Sequence, residues 1–243
     1  MIQPLLHKLS NFADLSDEEK AALNHAAQES ICYEKGEDII VEGEKPDYVH
    51  LIEEGWACRY KLLDQGDQHT MAFLLPGDMC DIHITILDEM DHSIRALTPV
   101  KLARIPAKEI LNILDNFPRL TRALFWSTLV DEAILREWLV NAGSRTADAR
   151  TAHVFCELLL RSHAAGLTQD NSFELPLTQE ALGEAMGLTN VHINRVVQQM
   201  RKDGLLAFER KRLIILDWEK MKAFSGFRSN YLHYQQQNIE PQC

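Results

Sequence analysis

The 243-residue chain has no apolar run approaching the ~20 residues that a membrane span needs. Its first residues, MIQPLLHKLS, lack the charged start and long apolar stretch of a secretion signal. We therefore expect a cytoplasmic protein of a bacterial cell with no membrane partner. Cysteine is scarce: Cys32, Cys58, Cys80, Cys156 and Cys243 are odd in number, widely spread and never paired as CxxC. That argues against a disulfide framework, a zinc knuckle and a four-cysteine iron–sulfur cluster. There is no low-complexity tract, and no repeat long enough for a solenoid. Enzyme signatures are missing as well, with no GxxxxGK, GxSxG or HExxH, so no catalytic or metal-binding residue is assigned. Basic charge is short overall: 25 Lys and Arg face 36 Asp and Glu, a formal net charge of −11 that, taken whole, argues against nucleic acid.

The shortage is uneven. Residues 145–243 hold 12 basic and 11 acidic side chains, whereas the preceding 144 residues hold 13 and 25. Between Gly187 and Arg212 six basic residues face two acidic ones, a locally basic head on an acidic body, which suits phosphate contact in one place only. The same stretch includes TQEALGEAMGLTNVHINRVVQQMRKD, residues 178–203. Leu182, Met186, Ile193, Val197 and Met200 fall at helical spacing in two halves. Gly187 between them supplies a sharp turn at little steric cost, and Gly204 stands where a left-handed C-terminal cap belongs. Thr178 and Thr189 are placed to cap the two helices and to approach phosphates. We read a helix-turn-helix here rather than two ordinary core helices. Its outward residues Asn190, Val191, Asn194, Arg195 and Gln198 are the candidates for base edges. Two short β runs, Leu205–Phe208 and Leu213–Leu216, then flank a basic tip. Arg210, Lys211 and Arg212 on that wing, with Arg201, are candidate phosphate contacts.

The rest of the chain, with 46% hydrophobic content, is long enough for a second core. Short helices are predicted within residues 1–29. From about Ser30 to Pro106 short β-rich pieces (Asp38–Val41, Tyr48–Ile52, Trp56–Leu62, His69–Leu74, Ser93–Ala96, Lys101–Ile105) alternate with Gly turns, the pattern of an antiparallel roll. A short helix at Ala107–Leu114 precedes a long one from Pro118 to Ala142. Leu124, Thr128, Asp131, Leu135, Trp138 and Ala142 form a heptad seam on it, and Leu120, Phe125, Leu129, Ile134 and Leu139 a second stripe. We expect the seam to pair with a second copy. A hinge is expected at Asn141–Arg145, a helix at Thr146–Ser162, a polar loop at 163–174, a last helix at Asp217–Phe224 and a frayed Gln-rich end at 235–237. The fold class is α+β: an N-terminal antiparallel β-roll (1–115), a dimerisation helix with its hinge (116–144), and a C-terminal winged helix-turn-helix (145–243).

This layout resembles the Crp/Fnr family of bacterial transcription regulators over nearly its full length. The residues that carry the resemblance are Gly43-Glu44, Gly55, Leu75-Pro76-Gly77-Asp78 and Arg104-Ile105-Pro106, followed by the long helix and the winged motif. The resemblance implies a homodimer with a cyclic-nucleotide-binding-like jelly roll that senses a small-molecule effector. It also implies double-stranded promoter DNA and RNA polymerase as partners.

Departures from the family's patterns bear on mechanism. Where the cyclic-AMP branch places Gly-Glu for the ribose and Arg-Ser for the phosphate, this chain has Asp81-Ile82 and Met90-Asp91. Asp91 would repel a phosphate that lacks an arginine partner. The oxygen-sensing branch uses several N-terminal cysteines, and here only Cys32 lies in that region. At the place of the carbon-monoxide sensors' haem ligand stands His83, with Cys80 nearby. Asp81, Asp88, Glu89 and Asp91 make that segment unfavourable for haem propionates, and nothing basic adjoins Cys80 to lower its pKa. Cys80, Asp81, His83, Met90 and Asp91 thus mark the effector region, with haem on His83 as its one cofactor candidate. In the recognition helix the family's base-reading places hold Asn190, Val191 and Arg195. Arg195 keeps a guanine-reading role, and Val191 suits a thymine methyl. A half-site unlike TGTGA or TTGAT follows. The competing class is a haem or small-ligand sensor whose output is protein contact.

Overall fold

A computed structural model describes residues 2–64, 66 and 68–234; the Gln-rich end lies outside them. The chain forms two compact units, residues 1–129 and 130–243, so the long helix is shared by both.

The first unit opens with α1 (Gln3–Ser10) and α2 (Asp17–Ala26). A capping box starts α2: the Ser16 hydroxyl accepts from the Glu19 amide while the Glu19 carboxylate accepts from the Ser16 amide at 2.7 Å. Seven strands follow: β1 (Glu29–Tyr33), β2 (Asp38–Ile40), β3 (Tyr48–Glu54), β4 (Ala57–Leu62), β5 (Gln68–Leu74), β6 (Ser93–Ala96) and β7 (Val100–Pro106). They build two antiparallel sheets, ordered β1-β7-β3 and β2-β6-β4-β5. Ile40, Ala57, Leu74 and Ile94 of one sheet and Ile52 and Leu102 of the other share one apolar core, which makes the pair a roll. β1 is the strand the sequence pattern leaves out. It lies at a sheet edge with most of its side chains outside the core, so alternation is weak. The Leu75-Pro76-Gly77-Asp78 turn is fixed by Asp78, whose carboxylate accepts from the Leu75 amide and from buried Lys8 Nζ, both at 2.9 Å. A 3-10 turn (Ile82–Thr85) connects β5 to β6, and α3 (Ala107–Asn116) and α4 (Pro118–Ser144) follow β7.

The second unit packs around α5 (Ala147–Ala164), which is buried at every position from Thr151 to Ser162. β8 (Thr168–Gln169) and β9 (Ser172–Glu174) form a small hairpin within the stretch expected as a polar loop. They join β10 (Leu206–Glu209) and β11 (Arg212–Ile215) in a sheet ordered β10-β11-β9-β8. α6 (Gln179–Met186), α7 (Asn190–Lys202), α8 (Trp218–Ser225) and a last 3-10 turn (Ser229–Leu232) complete the unit. A buried polar knot ties its helices together. The Glu157 carboxylate accepts from Trp138 Nε1 at 3.2 Å, from the Tyr231 hydroxyl at 3.0 Å and from Arg161 at 3.3 Å. Burial pushes the Glu157 carboxyl above its ordinary pKa.

Two expectations need correction. The expected hinge at Asn141–Arg145 begins too early: α4 stays helical to Ser144 and the break before α5 falls at 145–146, where Arg145 donates to Asn141 at 2.9 Å and to Glu137 at 2.6 Å. Those bonds brace the segment. The heptad seam is also broken by its own chain. Leu124, 2% exposed, belongs to the first unit's core, and Trp138, 9% exposed, turns in to Glu157. Thr128, Leu135 and Ala142 are exposed and Asp131 is half-buried. The apolar side chains left open on α4 are Phe125 and Leu129 in the first unit, and Leu135, Leu139 and Val140 in the second.

Candidate nucleic-acid interface and sensor region

The turn between α6 and α7 sets the geometry of the interface. Gly187 ends α6 in the left-handed region at φ +61°. Thr178 accepts from the Ala181 amide and Thr189 from the His192 amide, so both threonines cap their helices as expected. Gly204 follows α7 at φ +68°. Sequence reasoning missed Gly183: a Cβ there would lie 2.6 Å from the Leu188 carbonyl oxygen, so only glycine lets the turn approach α6. A glycine inside an otherwise helical pattern was the available signal.

α7 divides cleanly into two faces. Ile193, Val196, Val197 and Met200 are buried against the unit. Asn190, Val191, Arg195 and Gln198 stand exposed and Asn194 is half-buried, so the candidate base-reading residues share the outer face. Val191 is 82% exposed, an unusual place for an aliphatic side chain on an otherwise polar row. Arg195 lies 3.0 Å from His192 Nε2, a contact that steadies the guanidinium and that the sequence did not suggest.

On the wing, β10 and β11 pair Glu209 with Arg212, leaving Arg210 and Lys211 as a two-residue turn with φ +46° and +69°. Positive φ at both turn positions matches the twist of a hairpin, at some strain for side-chain-bearing residues. Both project into solvent, as does Arg201 at the end of α7. Arg212 differs from its assigned role at the tip. Its guanidinium is half-buried and donates to the Ser172 carbonyl at 2.9 Å and to the Ser172 hydroxyl, which staples β11 to β9.

The effector residues separate into structural and available ones. Asp81 is fully buried, and its two oxygens accept from the His50 amide and pair with His50 Nδ1, each at 2.7 Å. Met90 is buried in the roll's core, its amide donating to Glu44 and its carbonyl accepting from Gly43. Cys80 is buried in the same core, and Arg59 of β4 donates to its carbonyl at 3.2 Å. A basic group from a strand some twenty residues away thus holds the Cys80 backbone. Asp91 is exposed and pairs with His92 Nδ1 at 2.6 Å. His83 sits on the 3-10 turn with its Nε2 buried and unpartnered. Burial and the nearby Arg59 charge both lower its pKa, and burial lowers that of His92. The His92 ring lies 5.9 Å from that of His83, and Arg59, Asp81 and Asp91 are the charged groups that act on His83. Sequence reasoning missed Arg59 and His50, which reach the region across the fold, and His92, which adjoins Asp91 in the chain.

Residues 30–117 match the family model described as a cyclic nucleotide-binding domain, and residues 149–224 match that of the Crp-like helix-turn-helix domain. The transcriptional activator FnrL of Cereibacter sphaeroides is 26% identical over 198 residues, covering 80% of this chain and 79% of that protein. The transcriptional activator Anr of Pseudomonas protegens is 25% identical over 214 residues, covering 87% and 86%. Among solved structures, FixK2 from Bradyrhizobium japonicum shares the fold with a TM-score of 0.71 at 22% identity, over 81% of this chain and 96% of that one.

Proposed function

Because the chain belongs to the Crp/Fnr family of transcription regulators, joining a cyclic nucleotide-binding sensor domain to a helix-turn-helix DNA-binding domain, we propose that it acts as a homodimer on a palindromic promoter site. In this reading RNA polymerase is its partner there, and the controlling signal is not cyclic AMP bound in the usual mode. The family's members are regulators and not enzymes, and no helix among the described residues is long and apolar enough to cross a membrane.

The observation that carries the reading is the outer face of α7. Asn190, Val191, Arg195 and Gln198 project from a helix whose opposite face is packed, and Val191 gains from burial only when something outside the chain covers it. A thymine methyl does so, while Arg195 reaches guanine O6 and N7 and the asparagines reach adenine edges. Exposed Phe125, Leu129, Leu135, Leu139 and Val140 on α4 supply the apolar surface for a second copy. Twofold pairing places two recognition helices in successive major grooves, ~34 Å apart. The argument against cyclic AMP rests on Asp81 and Met90, which are consumed by internal bonds and packing where the ligand's contacts would be.

Selection of bound sequences from a random duplex pool tests this. The expected product is a palindrome with half-sites other than TGTGA or TTGAT. Arg195→Ala should cost ~1–3 kcal/mol at one base pair and relax its identity. Recovery of either of those half-sites, or equal losses on selected and random DNA for Arg195→Ala, would overturn the assignment.

A further inference from the structure

Two imidazole nitrogens inside the sensor unit have no partner. His83 on the 3-10 turn and His92 just before β6 bring their rings to a centroid separation of 5.9 Å at an interplanar angle of 43°. Nε2 of each is buried and makes no hydrogen bond. Buried polar atoms are almost always satisfied, so two orphans side by side point to a group that completes them. The tautomer of His92 follows from its neighbour. Asp91 Oδ1 lies 2.6 Å from Nδ1, and an ionised carboxylate only accepts, so Nδ1 holds the proton and Nε2 presents a bare lone pair. A carboxylate behind an imidazole is the arrangement that orients metal-ligating histidines and raises their basicity.

The spacing agrees. With metal–nitrogen bonds of ~2.0–2.1 Å and ring centres about 1.2 Å behind the nitrogens, two imidazoles on one ion have centroids roughly 5–6 Å apart. The observed 5.9 Å falls in that range. Facing His83 are Arg59 from β4 and the carboxylates of Asp81 and Asp91, and His92 faces Arg59 and Asp91. Both carboxylates are already bonded, Asp81 to His50 and Asp91 to His92, so the lone pair that His92 Nε2 presents, rather than net charge, favours a cation.

We propose that Nε2 of His83 and Nε2 of His92 together bind a divalent transition-metal ion of the Zn2+ or Co2+ kind, with Asp91 as the positioning residue behind His92. Imidazole suits such ions. Among the described residues no group of three or more His, Cys, Asp or Glu side chains is disposed to hold a metal. Any further ligand would have to come from outside the described residues. The site stands on the sensor unit alone and does not depend on how α7 reads DNA.

The test is titration of the full-length, tag-free chain with Co2+, read by its d–d absorption and by the ring nitrogen resonances of His83 and His92. Those two resonances should shift first. His83→Ala and His92→Ala should each remove one Co2+ equivalent per chain. Asp91 is exposed, so Asp91→Ala should fold normally yet weaken Co2+ binding ~10–100-fold. Resonances of His83 and His92 that stay in place during the titration, or Co2+ binding untouched by Asp91→Ala, would overturn the site and leave internal water as the partner of both nitrogens.

Discussion

Gly183→Ala sets two opposing effects against each other inside the helix-turn-helix. Helix propensity alone favours alanine over glycine in a helix interior by ~0.5–1 kcal/mol. Against that, the new methyl would lie 2.6 Å from the Leu188 carbonyl oxygen, where ordinary contact begins near 3.4 Å. The obstacle is backbone, and the same turn is held by the Leu188 amide donating to the Gly183 carbonyl at 2.8 Å. Relief therefore moves the start of α7 or stretches that bond, a strain of the ~1–3 kcal/mol typical of overpacking. The net expectation is a loss of ~1–2 kcal/mol, seen as a fall of about 4–8 °C in the thermal midpoint of the second unit. Trp138 and Trp218, both buried there, report it by fluorescence. Specific DNA binding should weaken in the same variant, because α7 is displaced. Gly143→Ala is the control: it lies in α4 with nothing near its added Cβ, so propensity acts alone and the variant should be slightly more stable. Gly183→Ala at or above wild-type stability would refute the close-approach argument.

Other outcomes follow from the same geometry. Arg210→Gln and Lys211→Gln should each weaken binding to selected and random duplexes alike and lower the salt slope by ~1, whereas Arg212→Ala should lower thermal stability through the lost Ser172 staple; a uniform effect of all three on DNA would contradict that division. Leu139→Glu, at a position 74% exposed, should give monomers in sedimentation without unfolding the chain, while Leu124→Ala should cost ~2–5 kcal/mol of first-unit stability. Buried His153 has its pKa lowered from 6.5 to about 3 by burial and by Arg145. The unfolded chain therefore takes up a proton below pH 6.5 that the folded chain refuses. Stability should fall as pH drops through that window, by ~5 kcal/mol at full extent, and His153→Phe should flatten the acid limb of a melting-point profile.

The DNA-reading motif was legible because its determinants are local. Thr178, Gly187, Thr189 and the apolar positions of α6 and α7 act on neighbours within one or two helical turns, so spacing along the chain is spacing in the structure. Most strands of the roll were legible for the same reason, through alternation bounded by Gly turns. The seam on α4 was read less well. Periodicity identifies an apolar face but not what covers it, and here Leu124 and Trp138 are covered by their own chain. The break between α4 and α5 was placed a few residues early, because the helix runs on to Ser144 and Arg145 bonds back to Asn141 and Glu137.

The sensor region shows why charge counted along a segment misleads. Read in sequence, Asp81, Asp88, Glu89 and Asp91 are four like charges in eleven residues, and they argue against any anion and for a solvated acidic loop. In the fold Asp81 is spent on His50, Asp88 on Lys45 and Asp91 on His92. Each partner comes from outside the segment or from its edge, and Arg59 from β4 adds a cation that no local window contains. What remains unspent is not a charge but two buried imidazole nitrogens, Nε2 of His83 and Nε2 of His92, the second with Asp91 behind its ring. The chemistry available to a signal in this roll is therefore set by what the strands leave unpaired after folding, and the proposed metal cation is the kind of ligand that two imidazole nitrogens take.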